Sequence, residues 1–517
     1  MQNNSFEYYA DYFAKIVHDG DFRRVGKAFK TDSKYYYYDT GTGKIFECTE
    51  ELFNVISTLQ KNNSFDALMK LPIEKDLLLE ALGELKETVE KQNLFQAPVI
   101  ETFSGEQVNH LERSLNTRLN QVTFEVTQKC NLRCDYCIYQ EENPKFRGFS
   151  DKKGMNFEII KKVIDYASDK MNDDFYITFY GGEPLLNYGL IKQCVEYVEA
   201  CRFKNNIRYS MTTNLTLMTK EKADFFASVP NFTIVCSIDG GQDIHDEHRK
   251  TVTGEGSFRY AMEGLKNLRN AYKGKDEHII FNMVLTPPYT REKFNKIQSF
   301  IEDCPYIFDT STIMYSYADD GKAPEPEELK ARQALEDEIL FMEEYNPVMC
   351  WTIENLLNTE SPNELFTWSN FLKGLLKIHK RRLSDTPMKK CSFNGCCIPG
   401  GRRLYVTATG DFHICERIGE APEIGNIHDG ININRIKEKY IDEYIEKSIE
   451  KCRKCWAVHL CGICYATCYN HEGLHMQTKD LRCISEKFAI ENYLVQYHQL
   501  YEKKPELLRP LNSMELT

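Results

Sequence analysis

Three cysteines stand close together in Cys130-Asn-Leu-Arg-Cys134-Asp-Tyr-Cys137. Thiolates at these spacings on one loop hold three corners of an iron–sulfur cube and leave the fourth iron open to another ligand. Ten more cysteines crowd the C-terminal quarter: Cys391, Cys396, Cys397, Cys415, Cys452, Cys455, Cys461, Cys464, Cys468 and Cys483. The first residues, MQNNSFEYYADYF, lack the basic start and apolar run of a secretory signal. A reducing cytosol then argues against a disulfide framework and for metal or iron–sulfur ligation. Buried thiols or a three-ligand zinc site are the plainer alternative for the triplet. A zinc ribbon is the rival for the C-terminal group, but its two Cys-x2-Cys pairs usually stand roughly 15–20 residues apart. Only five residues separate Cys455 from Cys461.

The elements that must carry these residues are legible as an alternation. Strand-like runs fall at QVTFEVT, FYITFY, IRYSMTT, FTIVCSI, HIIFNMVL and IFDTSTIMYS, with helix-like runs such as FEIIKKVIDYASDK, YGLIKQCVEYVEAC and KFNKIQSFIED between them. Six βα-type repeats predict a parallel sheet with helical crossovers, a partial (β/α)6 barrel of the TIM type within an α/β fold. The cysteine triplet follows the first of these strands, and turns carrying Gly, Asn and Pro follow the others, where such folds place their chemistry. Ahead of the barrel, helical spacing in FEYYADYFAKIV, a hairpin from KYYYYDT to KIFECT and a helix over EELFNVISTLQKN suggest a winged-helix module. The tyrosines Tyr35 to Tyr38 read as a half-buried strand. The expected boundaries are 1–95 for this module, 110–320 for the barrel, 321–385 for a helical bridge and 386–517 for the cysteine-rich domain. That last section has little periodicity, so its order is expected to come from metal rather than from an apolar core. A helix from Ser485 to Tyr501 closes it. Cys194, Cys201 and Cys236 read as small hydrophobes.

With its position after a first strand, the triplet resembles that of the radical S-adenosylmethionine (radical SAM) superfamily. The resemblance implies that Cys130, Cys134 and Cys137 ligate a catalytic 4Fe–4S cluster whose open iron chelates the amino and carboxylate groups of S-adenosylmethionine, with Tyr136 beside the adenine. Gly181-Gly182-Glu183-Pro184 matches the motif that holds the methionine ammonium. Thr213 and Asn214 suit the ribose, Ser237 lies near the cofactor, and Arg249 resembles the arginine that meets its carboxylate; a solvated charge is the bland reading of Arg249. Cys397-x12-Gly410-x4-Cys415, then Cys452-x2-Cys455-x5-Cys461 and Cys483, resemble the SPASM domain, which normally binds two auxiliary 4Fe–4S clusters, making three in all. By resemblance Cys391, Cys397 and Cys415 join one later cysteine at the first, and Cys452, Cys455, Cys461 and Cys483 surround the second. The sequence departs from the pattern at Tyr465, where a cysteine is usual. Cys464 and Cys468 flank it, and either is the candidate ligand, unless the cluster keeps an open iron for a substrate thiolate. Glu416 follows Cys415, near where relatives that oxidise an alcohol or thiol side chain place an aspartate base; a surface carboxylate is the plainer reading.

Nearly the whole layout resembles Cys-rich peptide maturases, and most of all the sactipeptide synthases, which join a Cys sulfur to the α-carbon of another residue. It implies a ribosomal precursor peptide as partner, its leader added as an extra strand by an N-terminal recognition element, and a low-potential electron donor such as flavodoxin or ferredoxin. Removal of residues 1–95 is then expected to spare cofactor cleavage and lose peptide processing. The rivals within the superfamily are formylglycine formation, as in sulfatase maturation, and β-thioether or carbon–carbon cross-linking. A redox-sensing DNA-binding regulator is the distant rival, drawing on Arg23, Arg24, Lys27, Lys30 and Lys34. With 65 Lys+Arg against 77 Asp+Glu, a formal charge of −12 disfavours nonspecific nucleic-acid binding. No apolar run is long enough for a membrane span, and a cytoplasmic location is expected.

Overall fold

The computed structural model describes residues 5–515 apart from 18, 118, 141, 142, 144–146, 151–153, 305–311, 319–346, 394 and 420. The chain opens with the helix Phe6–Ile16, whose first turn is capped by the Ser5 hydroxyl. Three antiparallel strands follow in spatial order, β1 (Gly26–Lys30), β2 (Tyr35–Asp39) and β3 (Ile45–Cys48). β1 carries no alternating pattern and was not foreseen. Helices Glu50–Asn62 and Lys75–Gln92 complete the unit, the first capped by Thr49 and ended by Asn63 in the left-handed region.

Alternation along β2 sends its tyrosines to opposite faces. Tyr37 packs with Phe13, Val25, Leu52, Ile56 and Leu82 inside the unit. Tyr36 and Tyr38 face Ile378, Ala457, Leu460, Ile490 and Leu494, all from the far end of the chain. The strand is therefore covered on both faces, where the sequence suggested only one.

A ten-stranded sheet forms the body of the molecule. A two-residue β4 (Phe103–Ser104) in the connecting segment stands apart from it. Six strands run parallel as expected: β5 (Leu119–Thr127), β6 (Met171–Gly181), β7 (Asn206–Thr213), β8 (Phe232–Ser237), β9 (Ile279–Leu285) and β10 (Thr312–Tyr317). The first residues of the sixth expected strand, 307–311, lie outside the described residues. Helices Phe157–Ala167, Tyr188–Cys201, Lys220–Ser228, Phe258–Ala271 and Arg291–Glu302 lie between the strands, and their buried residues join the barrel core. Cys194 and Cys236 are buried in that core, whereas Cys201 is exposed. Of the expected helical bridge, Pro347–Asn358 and Trp368–His379 are helices, and 319–346 fall outside the described residues.

The C-terminal section departs from expectation. β11 (Cys391–Ser392) pairs with β4, and β12 (Arg403–Val406) adds to the barrel sheet parallel to β5. β13 (Asp411–His413), β14 (Gly425–Asn426) and β15 (Gly430–Ile431) continue that sheet antiparallel. Phe393, Leu404, Val406, Phe412 and Ile414 lie in one apolar cluster with the barrel strands, so this region has an apolar core as well as cysteines. Its strands are too short for periodicity to register. The closing helix spans Met476–Lys503 and begins earlier than Ser485. Its first turns bury Lys479 and Leu481, a polar mixture that hides the helical pattern. Among the described residues, no helix is long and apolar enough to cross a membrane.

Candidate active site

The loop after β5 brings Cys130, Cys134 and Cys137 to the C-terminal end of the parallel strands. It is pinned by an amide bond from Arg133 to the Lys250 carbonyl at 2.7 Å and by a bridge between Leu132 and Thr251. The three thiols are close enough that each of Cys134 and Cys137 bears on the ionisation of Cys130. Burial pushes all three up, Cys134 to about 12, with the Glu183 carboxylate adding to the effect at Cys130 and Arg249 opposing it at Cys134. Such thiols ionise when a metal supplies positive charge.

Glycines at the end of β6 are dictated by close approach. A Cβ on Gly182 would lie 2.3 Å from the Lys129 carbonyl oxygen, and one on Gly181, at φ +139°, 2.2 Å from that of Thr127. The Gly181-Gly182 backbone thus lies directly against the cysteine loop. Glu183 is 1% exposed and accepts bonds from the Thr213 hydroxyl (2.8 Å) and the backbone N–H groups of Asn214 (2.8 Å) and Leu185 (3.0 Å). Its carboxylate ties the end of β6 to that of β7. Pro184 opens the short turn Pro184–Asn187. The Asn214 amide donates to Asn131 in the cysteine loop at 3.1 Å. Ser237 ends β8 and is buried.

Arg249 is buried and makes a two-pronged bond to Asp239, at 2.7 and 3.0 Å. The same carboxylate accepts the Tyr136 hydroxyl at 2.6 Å and the Val284 N–H at 2.9 Å, so Tyr136, Asp239 and Arg249 form one unit beside Cys134. Asp239 has no place among the expected site residues. Burial raises its pKa, but the Arg249 guanidinium outweighs that and holds the carboxyl below its usual range.

The C-terminal thiols fall into sets. Cys452, Cys455, Cys461 and Cys483 each bear on the ionisation of others in the set. Lys479 lies against them, its Nζ 3.8 Å from Cys483 Sγ and 3.9 Å from Cys452 Sγ. Cys464 bears on Cys415, and Arg403 senses both Cys415 and Cys397. Cys468 turns elsewhere: it is buried, its thiol donates to the Cys464 carbonyl at 3.3 Å, and it neighbours Cys396. Cys391 is buried, with its thiol 3.7 Å from the Val458 carbonyl oxygen. Tyr465, at the position where the pattern departs, is buried among Tyr440, Tyr444 and Tyr469. Among the described residues, no three His, Cys, Asp or Glu side chains close on a single metal ion. A cubane makes a different demand, with thiolates at separate corners.

A buried polar network joins the two cysteine regions. Glu125 on β5 is 1% exposed and accepts the Tyr139 hydroxyl at 2.6 Å and the Ala408 N–H at 3.0 Å. Arg147 lies 3.7 Å from Glu125 and donates to the Tyr405 hydroxyl and the Glu416 carbonyl. The one advance signal was Glu125 itself, a charge inside the apolar run QVTFEVT. The Glu416 side chain is clamped by Arg403, with both oxygens at 2.7 Å. Burial raises its pKa, but Arg403 and Arg417 outweigh that and hold the carboxyl below its ordinary range.

Residues 124–301 match the Radical SAM superfamily, and this part of the chain is a radical SAM domain. Such a domain implies S-adenosylmethionine and a 4Fe–4S cluster as cofactors. An uncharacterized protein of Methanocaldococcus jannaschii is 26% identical over 339 residues, covering 64% of this chain and 99% of its own. The cysteine-type anaerobic sulfatase-maturating enzyme of Clostridium novyi is 24% identical over 351 residues, covering 66% of this chain and 86% of its own. Among solved structures, native anSMEcpe with bound AdoMet and Cp18Cys peptide shares the fold, with a TM-score of 0.52 and 19% identity over 77% of this chain and 100% of that one.

Proposed function

We propose that this protein is a radical S-adenosylmethionine enzyme that forms thioether cross-links, Cys sulfur to α-carbon, in a ribosomally made precursor peptide. The likeness to a sulfatase-maturating enzyme supports a Cys-bearing polypeptide as substrate. When bound to a reduced cluster at Cys130, Cys134 and Cys137, S-adenosylmethionine supplies the 5′-deoxyadenosyl radical that abstracts hydrogen from carbon. The chain's own part is to position and to exclude water. Gly181 and Gly182 offer backbone against the cysteine loop, while Glu183, Thr213 and Asn214 fix the neighbouring strand ends. The Tyr136–Asp239–Arg249 unit fixes one wall beside Cys134.

The observation that carries the thioether reading is the grouping of Cys397, Cys415 and Cys464 around Arg403, with Cys468 turned away and Tyr465 where a further ligand is usual. This set supports a first auxiliary cluster with a corner for a substrate thiolate. Cys452, Cys455, Cys461 and Cys483 suit the second. Formylglycine formation is the second reading, favoured by the printed name of the Clostridium novyi relative. That chemistry asks for a proton acceptor, and a Glu416 carboxylate clamped by Arg403 and held ionised is a poor one.

The N-terminal sheet suits leader binding at one edge only. Gln60 accepts from the Ala28 N–H at 2.9 Å and donates to the Gly26 carbonyl at 2.6 Å, filling the outer edge of β1 as a strand would. On the other side, the Asp39 N–H donates to the Lys44 carbonyl at 2.9 Å. Ladder alternation then turns the amide groups of Ile45 and Glu47 outward. A leader would add there, and a flavodoxin or ferredoxin would supply the electron. Mass spectrometry of a co-expressed precursor tests the reading. Loss of two hydrogens per bond, with the Cys protected from alkylation, is expected; an aldehyde at one residue and no cross-link would replace it with formylglycine formation.

A further inference from the structure

Lys479 presents a charge problem. It lies in the closing helix, is 2% exposed, and stands over the ring of buried Tyr444 at 5.4 Å. Among the described residues no carboxylate pairs with it; neighbouring Asp480 is held by Lys451 instead. Its ammonium reaches only sulfur, Cys452 at 3.9 Å and Cys483 at 3.8 Å. A buried ammonium without an anion is very costly and would lose its proton. Burial does oppose its charge, yet the facing thiols of Cys452 and Cys483 hold it above the ordinary lysine range. The place is built for a negative group between those sulfurs.

A cubane on four thiolates is such a group, an anion in both oxidation states and more negative once reduced. A fixed cation at contact distance stabilises the reduced form more, and burial magnifies the difference. The surroundings of the first cysteine loop are opposite in kind: Arg249 is cancelled by Asp239, Arg147 by Glu125, and the Glu183 carboxylate bears on Cys130.

We propose that Lys479 is the fixed counter-charge of the second auxiliary cluster, raising its reduction potential so that it accepts electrons rather than supplies them. This rests on the reading of Cys452, Cys455, Cys461 and Cys483 as cluster ligands. The test is a redox titration followed by electron paramagnetic resonance, on full-length protein reconstituted anaerobically. The signal lost in Cys483→Ala identifies the cluster; if wild type has no such signal, the ligand reading itself falls. In Lys479→Met, at full iron content, the reduction equilibrium is expected to shift at least tenfold towards the oxidised form, about 59 mV for one electron, while Lys479→Arg stays near wild type. An unchanged potential in Lys479→Met overturns the proposal. Should Lys479→Met lose iron, Lys479→Arg decides: restored iron and potential support the counter-charge, and loss there too shows that shape, not charge, matters.

Discussion

The two cysteine regions are built by opposite means. At the barrel mouth the triplet sits on one loop, and strand ends hold that loop through bonds made within the barrel: Glu183 to Thr213 and Asn214, Asn214 to Asn131, and Asp239 to Tyr136 and Arg249. At the C-terminal end, thiols from residues 391 to 483 are gathered by the shared barrel core and covered by a separate unit. The Thr40 hydroxyl donates to the Trp456 carbonyl at 2.7 Å, directly beside Cys455, and Tyr36 and Tyr38 pack on Ala457, Leu460, Ile490 and Leu494. Ionic bonds from Lys27 to Glu491 and from Lys503 to Asp32 reinforce that seam. A loop held by its own scaffold depends on local sequence; a thiol group held by distant chain depends on the whole fold.

The comparison breaks first at the cysteines. Cys134→Ala is expected to reduce 5′-deoxyadenosine formation to background, whereas Cys483→Ala keeps cofactor cleavage and loses peptide processing; chromatography of the nucleoside products separates them. Loss of cleavage in both would mean that the two regions do not act separately.

Deleting residues 1–95 comes next. From sequence, that truncation should leave a competent barrel. The structure gives a different expectation, because it strips the cover from Ala457, Leu460, Ile490 and Leu494 beside Cys455. Aggregation and loss of iron from the C-terminal set are expected, read by light scattering and iron content. A monodisperse truncated protein with full iron would show that the seam is dispensable.

Asp239→Asn should destabilise the barrel by about 3–5 kcal/mol, the cost of stranding one partner of a buried ion pair, measured by denaturant unfolding, and should weaken S-adenosylmethionine binding. An equal effect on the C-terminal thiols would blur the contrast. The smallest effect belongs to Glu47→Pro at the open edge of β3. Loss of one main-chain bond, about 0.5–1.5 kcal/mol, should weaken leader binding several-fold in a fluorescence titration, with cofactor cleavage intact. Unchanged affinity would move the leader elsewhere.

Legibility followed the same division. The six barrel strands and the helices between them were readable because apolar runs and turns recur over long elements. The triplet was readable because its ligands are neighbours in sequence. Glu416 as a free base was not sustained by its surroundings, since Arg403, thirteen positions earlier, clamps it from the next strand. Asp239, Glu125, Tyr405 and Lys479 escaped because each acquires its role from a partner on another element.

Sequence alone determined where the first cysteine loop stands, at the end of β5, because strand, loop and ligand spacing are local. It also determined that thiols would group near the C-terminus. Only the tertiary structure decided which thiols meet, that the N-terminal sheet roofs one set, and that an unpaired lysine faces it. Those outcomes depend on packing and burial between segments hundreds of residues apart, and no local period or spacing encodes such contacts.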